Sequence, residues 1–242
     1  MELPTFENIW LDSLQWQPTQ EQLEKWEQLY QEIILINRQI NLTRITEPQD
    51  FWEKHLWDSL AGVIGLDFLN YKDSLKVIDI GTGGGFPGLP IAICLTNWQF
   101  TLLDSTRKKI NVINLFLEAL QLNNCTTLIG RAEDVGHLQE HREMYDLGLI
   151  RAVGEPSVCA EYVLPFLKLG GIGVLYRGNW QTEEELNLKA ALKQLGGKFI
   201  LVKPFNTPLT QSIRHFIYVK KVAETPYQFA RPVGIPKQQP LC

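Results

Sequence analysis

One stretch constrains this chain more than any other: Lys76-Val-Ile-Asp-Ile-Gly-Thr-Gly-Gly-Gly-Phe-Pro-Gly88. An apolar run of strand length leads straight into a glycine-rich turn. A second apolar run, Thr101-Leu-Leu-Asp104, ends in a carboxylate. Gly81, Gly83 and Gly85 permit φ > 0 and let backbone N–H groups approach a ligand without Cβ interference. A helix starting near Pro87 points its positive end at the same spot. Asp104 then stands where a ribose diol arrives, accepting both hydroxyl hydrogens. These features predict a nucleoside pocket at the carboxyl edge of a parallel sheet.

The rest of the chain supplies such a sheet. Apolar runs at 75–80, 99–104, 126–130, 146–151, 172–177 and 198–203 alternate with helical stretches near 88–95, 106–122, 135–143, 156–168 and 182–195. Strand–helix alternation predicts a mostly parallel, doubly wound α/β sheet. The ending differs. Pro204-Phe-Asn-Thr-Pro208 is a turn-rich link to a last strand, Arg214–Lys220, and two strands without a helix between them pair antiparallel.

Residues 1–70 read as a helical cap ahead of the sheet domain of residues 71–242, the two packed as one structural unit. Thr19-x-x-Gln22 is a capping box opening a helix with Leu23, Trp26, Tyr30, Ile33 and Ile34 on one face. A second box, Thr46-Glu-Pro-Gln49, opens a helix through Phe51, Trp52, His55, Leu56 and Ser59. The aromatic stripe Trp26, Trp52 and Trp57 is expected to pack on the main domain.

Cys94, Cys125, Cys159 and Cys242 stand singly with no CxxC, which suggests neither a disulfide framework nor a thiolate metal site and fits a reducing cytoplasm. No apolar run spans a bilayer, and no basic-then-apolar leader opens the chain. The net charge of −4 hides an asymmetry: residues 1–70 carry 12 acids and 4 bases, and from Gly197 onward seven bases meet one acid, Glu224. That excess is either a solvated surface or a basic rim that meets phosphate. His137-x-x-Glu140-His141 formally matches an inverted zinc motif, but lacks a third ligand and reads as a solvated helix face.

Gly83-x-Gly85-x-x-Gly88 with Asp104 satisfies a dinucleotide fingerprint. The same segment also reads Asp79-x-Gly81-x-Gly83-x-Gly85, similar to the signature at the first strand of S-adenosylmethionine methyltransferases. Gly130-Arg-Ala-Glu133-Asp134 lies where those enzymes place residues against adenine, and the terminal hairpin completes their seven-stranded sheet.

The resemblance then becomes specific. Asn41-Leu-Thr43, Lys54-His-Leu-Trp-Asp-Ser-Leu60, Asp79 to Pro90, Leu103-Asp-Ser105, Arg131-Ala-Glu133, Arg151-Ala152 and the Tyr227–Leu241 stretch resemble the RsmG family, also called glucose-inhibited division protein B. The chain departs from that pattern at Ile150, where Ser is usual, and at Tyr176-Arg177-Gly178, where Lys-Gly is usual.

The resemblance implies methylation of N7 of a guanine in 16S ribosomal RNA of the small subunit, with S-adenosylmethionine as cofactor, no metal, and a monomer as the working unit. It implies a cofactor site of Asp79, Gly81, Gly83, Phe86, Asp104, Ser105, Thr106, Ala132, Glu133 and Arg151. Arg151 either hydrogen-bonds guanine O6, holds the cofactor carboxylate, or forms a structural ion pair at a strand end. Arg107, Lys108, Lys109, Lys220, Lys221, Arg231 and Lys237 are candidate RNA contacts. His55 and Asp58 either face the pocket or tie the cap to the core. Two other readings stay open: an NAD(P)-dependent oxidoreductase on the same glycine turn, and a non-catalytic ribosome assembly factor.

Overall fold

The computed structural model describes residues 2–64 and 74–242. Its centre is a seven-stranded sheet of β1 (Lys76–Ile80), β2 (Gln99–Asp104), β3 (Cys125–Ile129), β4 (Tyr145–Arg151), β5 (Leu167–Arg177), β6 (Gly197–Asn206) and β7 (Ile213–Lys221). The strand order is β3-β2-β1-β4-β5-β7-β6. β1 to β5 run parallel, and β7 lies antiparallel between β5 and β6, as the helix-free link predicts. The order reverses between β1 and β4, so loops leave the sheet in opposite directions there and open a crevice.

Successive residues of the central strands feed opposite faces, as the two-residue strand period requires. Val77, Leu102, Leu149, Val174 and Phe216 enter one apolar layer. Their neighbours Ile78, Leu103, Ile150, Leu175 and Ile217 enter the other. Both layers are covered, which is why these strands read as continuous apolar runs. Helices α5 (Gly88–Cys94) and α6 (Arg107–Ala119) share the first layer with the cap; α8 (Pro156–Val163) and α9 (Thr182–Leu195) fill the second.

The cap comprises α1 (Glu7–Leu14), α2 (Gln20–Asn37), α3 (Pro48–Phe51), a wider π-helical segment (Trp52–Trp57) and α4 (Asp58–Ala61). Thr19 and Gln22 form the expected capping box. Thr46 does not cap the second helix; Glu47 holds that position, and the Thr46 carbonyl accepts a hydrogen bond from Tyr30 Oη at 2.8 Å. The aromatic stripe packs inward: Trp10 stacks on Trp26 at 5.2 Å, and Trp26 Nε1 donates to the Pro90 carbonyl of α5. Polar ties add direction. Tyr176 and Tyr218 donate to the Ser59 and Gly62 carbonyls, and Glu53 accepts from Leu209 N, Thr210 N and Thr210 Oγ1. The expected boundary at residues 70 and 71 lies outside the described residues.

Two expected helices are shorter. The 135–143 stretch is helical only as α7 (Ala132–Val135), and turns follow. Arg142 reaches the carbonyls of Gly136, Thr225 and Phe229, so tertiary bonds replace helical ones. The 156–168 stretch gives α8 and one tighter turn, Leu164–Phe166, containing Pro165, after which β5 begins. Those added β5 residues pair as Tyr145↔Leu167, offset from the main register by an irregularity.

Candidate functional site: two cavities at the carboxyl edge

The glycine turn is built around Asp79, which is completely buried at the end of β1. Its Oδ2 accepts from Thr82 Oγ1 at 2.7 Å and Gly88 N at 2.8 Å. Burial pushes the Asp79 carboxyl up to about 6. Gly81 adopts φ 71, and a Cβ there would stand 2.7 Å from Val153 Cγ2. Gly85 adopts φ 97, and a Cβ would meet Leu89 Cδ1 at 2.2 Å. Both positions therefore require glycine.

Beside this turn lies a cavity of about 320 Å³. Six of the ten expected cofactor residues line it: Gly81, Asp104, Ser105, Thr106, Ala132 and Glu133. Asp104 is held from two sides, its Oδ1 accepting from Thr106 N at 2.8 Å and its Oδ2 from Gly83 N at 3.0 Å. Each carboxylate oxygen retains a lone pair for a ligand hydroxyl. Leu103, Ala132 and Val153 supply apolar wall. Glu133 Oε1 accepts from Tyr162 Oη and Gly234 N.

The other four expected residues stand elsewhere. Asp79 and Gly83 shape the turn and are not among the cavity's lining. Phe86 stacks face to face on His55, with centroids 4.0 Å apart. Arg151 points into a second cavity of about 380 Å³, with Ile45, Lys54, His55, Asp58, Tyr176, Arg177 and Arg214. Its NH1 donates to Asp58 Oδ2 at 2.9 Å and the Lys54 carbonyl at 3.0 Å; its NH2 lies 3.4 Å from His55 Nδ1. Burial, then the Arg151 charge, lowers the His55 pKa well below the usual histidine value, so the ring is neutral at pH 7. Its Nε2 lies 2.9 Å from Thr43 Oγ1. Burial raises the Asp58 carboxyl, against the pull of Arg151 and Arg214.

Ala152 lines both cavities and carries φ 56, an uncommon conformation for a residue with a Cβ. It sits directly after β4, at the switch point of the sheet. Arg214 reaches the same edge because β7 runs antiparallel and starts where its neighbours end. That direction of the last strand is the signal that locates Arg214 from sequence.

The expected basic rim needs correction. Lys221 has a side chain only 1% exposed, and its Nζ donates to Glu143 Oε1 and the Leu164 carbonyl. Arg231 forms a two-pronged pair with the buried Glu161: Nε reaches Oε1 at 2.9 Å and NH2 reaches Oε2 at 2.7 Å. Lys237 lines the first cavity beside Gly81 and Asp104, far from them in sequence but not in space. Lys109 likewise turns toward Asp104, at 3.9 Å. Arg107, Lys108 and Lys220 are exposed. The reason is that counting charges along a chain does not reveal which ones already have buried partners.

The histidine motif is also not a solvated helix face. His137 Nε2 meets the Ala230 carbonyl at 2.7 Å and His141 Nδ1 meets Tyr145 Oη at 2.8 Å, binding the turns to the C-terminal segment and β4. Among the described residues no three His, Cys, Asp or Glu are grouped to hold a metal ion, and no helix is long and apolar enough to cross a membrane.

Comparison with known proteins agrees with this geometry. The family model GidB, described as rRNA small subunit methyltransferase G, matches residues 22–216. A Nostoc sp. protein named ribosomal RNA small subunit methyltransferase G is 54% identical over 241 residues, covering 99% of this chain and 98% of the relative. A Trichormus variabilis protein of the same name is 55% identical over 243 residues, with the same coverages. Among solved structures, a 16S rRNA (adenine-N1)-methyltransferase from Catenulisporales acidiphilia superposes with a TM-score of 0.51 at 14% identity, covering 64% of this chain and 93% of that one, a likeness of fold. The chain belongs to the rRNA small subunit methyltransferase G family.

Proposed function

We propose that the protein transfers the methyl group of S-adenosylmethionine to N7 of a guanine in 16S rRNA, as a monomer acting in the cytoplasm on the small ribosomal subunit. The observation that carries this reading is the pair of cavities meeting at Ala152, one suited to a nucleoside and one rich in arginine.

The first cavity fits the nucleoside end of that cofactor. Asp104 would accept the ribose hydroxyls, and Leu103, Ala132 and Val153 would bound the adenine. When bound, S-adenosylmethionine supplies an electrophilic methyl on a sulfonium. The turn is poorly suited to a pyrophosphate, which binds through unengaged backbone N–H groups. Here Gly81 N and Thr82 N donate to the Leu103 carbonyl, and Gly85 N and Phe86 N to the Thr82 carbonyl. Gly83 N and Gly88 N serve Asp104 and Asp79. This disfavours the NAD(P) reading.

Guanine N7 carries its lone pair in the ring plane, so its attack on a methyl requires no general base. What this chain contributes is placement and electrostatics. Arg151, engaged with Lys54, His55 and Asp58, belongs with the acceptor base and not with the cofactor tail. Cys159 is no nucleophile; burial pushes its thiol up to about 12.

A cofactor challenge tests the reading. S-adenosylhomocysteine at a hundred times its dissociation constant should add about 2.7 kcal/mol of stability. That raises the melting temperature by about 5–10 °C for a chain of this size. NADH should leave it unchanged. The reverse pattern would return the oxidoreductase reading.

A further inference from the structure

We propose that Asp58 is the residue that selects guanine: in the second cavity its carboxylate accepts hydrogen bonds from N1–H and the 2-amino group of the target base. The inference rests on the methyltransferase reading above and assigns the acceptor side of that site.

Asp58 sits at the start of α4, with a side chain 8% exposed, yet it lines the second cavity. Its two oxygens differ. Oδ2 is engaged by Arg151 NH1 at 2.9 Å. Among the described residues, the buried Oδ1 has no hydrogen-bond partner. Its charged neighbour there is Arg214 Nε at 3.4 Å, outside hydrogen-bond geometry. A buried carboxylate oxygen without a donor is costly unless something supplies one.

Guanine is the base whose Watson–Crick edge offers two adjacent donors, N1–H and the 2-amino group, to one carboxylate. Adenine has no N1–H, and cytosine and uracil lack the donor pair. Held by that edge, guanine keeps N7 unencumbered, free to face Ala152, the residue shared with the first cavity. Arg214 is the loose member of the cluster: its side chain is 27% exposed, its contact with Asp58 is an ion pair at 3.4 Å, and its NH1 makes a long 3.5 Å hydrogen bond to the Ile213 carbonyl. It turns outward as the base arrives and is then available to the nucleotide's phosphate. Lys54 and Arg177 line the same cavity, which gives an anionic ligand a cationic surround. Arg151 stays in place, fixed by the Lys54 carbonyl and His55, and keeps the carboxylate oriented.

The test compares two RNA substrates that differ by one group. Inosine has the N7 lone pair and N1–H of guanosine but lacks the 2-amino group. Small-subunit rRNA is prepared with guanosine or inosine at the target position, and methyl transfer is measured with each. The wild-type protein should prefer guanosine in kcat/KM by at least about tenfold, the loss of one hydrogen bond to a charged group. Asp58→Asn should lower kcat/KM on guanosine and bring the ratio of the two substrates near one, with S-adenosylhomocysteine affinity within about twofold of wild type, a non-additivity expected only of groups in contact. Asp58→Glu, which keeps the charge facing Arg151, serves if the asparagine variant does not fold; moving the carboxylate should also shrink the ratio. A wild-type ratio near one, or a full ratio in the folded variants, overturns the assignment of Asp58 while leaving the methyltransferase reading intact. Absence of methyl transfer to guanosine N7 by the wild-type protein overturns that reading and the inference with it.

Discussion

Replacing Asp104 with alanine should weaken S-adenosylmethionine binding by about 2–4 kcal/mol, the sum of two hydrogen bonds to a charged group. In dissociation constant this is roughly 30- to 700-fold. The geometry adds a second contribution: Asp104 also receives Gly83 N and Thr106 N, so its carboxylate fixes both the glycine turn and the start of α6. Asp104→Asn separates the two roles. An asparagine still has one acceptor oxygen, and it should lose less affinity than alanine. Calorimetric titration of both variants reads the result directly. Unchanged affinity in the alanine variant would remove Asp104 from the cofactor site.

Replacing Arg231 with alanine should destabilise the fold by about 3–5 kcal/mol, because it removes the cation from the buried carboxylate of Glu161 and leaves it the Arg231 backbone N–H at 2.9 Å. For a chain of this size that lowers the melting temperature by roughly 6–20 °C. Neutralising both partners, Arg231→Met with Glu161→Gln, should recover much of the loss, since no buried charge then remains. Cofactor affinity should fall as well, because Val233, Gly234 and Lys237 on the same segment line the first cavity. A residue that merely touched RNA would behave otherwise. Its loss would leave thermal stability unchanged and reduce the salt dependence of RNA binding by about one unit of log–log slope. Thermal melts of the single and double variants discriminate the two.

Much of this architecture is legible in the sequence because local signals and burial agree. Val77-Ile78, Leu102-Leu103 and Leu147 to Ile150 are covered on both faces, so each reads as part of an apolar strand, and Asp79 is the one buried charge in β1. Thr19 with Gln22 marks its helix start, and Thr182–Leu195 forms the helix its spacing predicts. The glycine turn is readable because Gly81 and Gly85 occupy positions no other residue fits. Helix α1 is harder to see: Phe6 at its N-cap supplies no side-chain hydrogen bond, and only the Trp10–Leu14 spacing betrays a buried face.

The sequence singles out His55, Asp58 and Arg151 of the second cavity, but not that they share it with Arg214. Asp58, Arg151 and Arg214 come from three distant segments, and only the sheet topology brings them together. The basic C-terminal stretch misleads for the opposite reason. Lys221 and Arg231 look like surface charge in one dimension, yet Glu143 and Glu161 have already neutralised them.

The central claim is that the two cavities bring a methyl donor and a guanine N7 together across Ala152. It is tested most directly by incubating the purified protein with unmethylated small ribosomal subunits and S-adenosylmethionine carrying a labelled methyl group. The RNA is then digested to nucleosides, and the labelled product is identified. All the label in 7-methylguanosine from 16S rRNA is the expected result. Label on any other atom or base, or no transfer to free RNA, subunits or assembly intermediates, would contradict it.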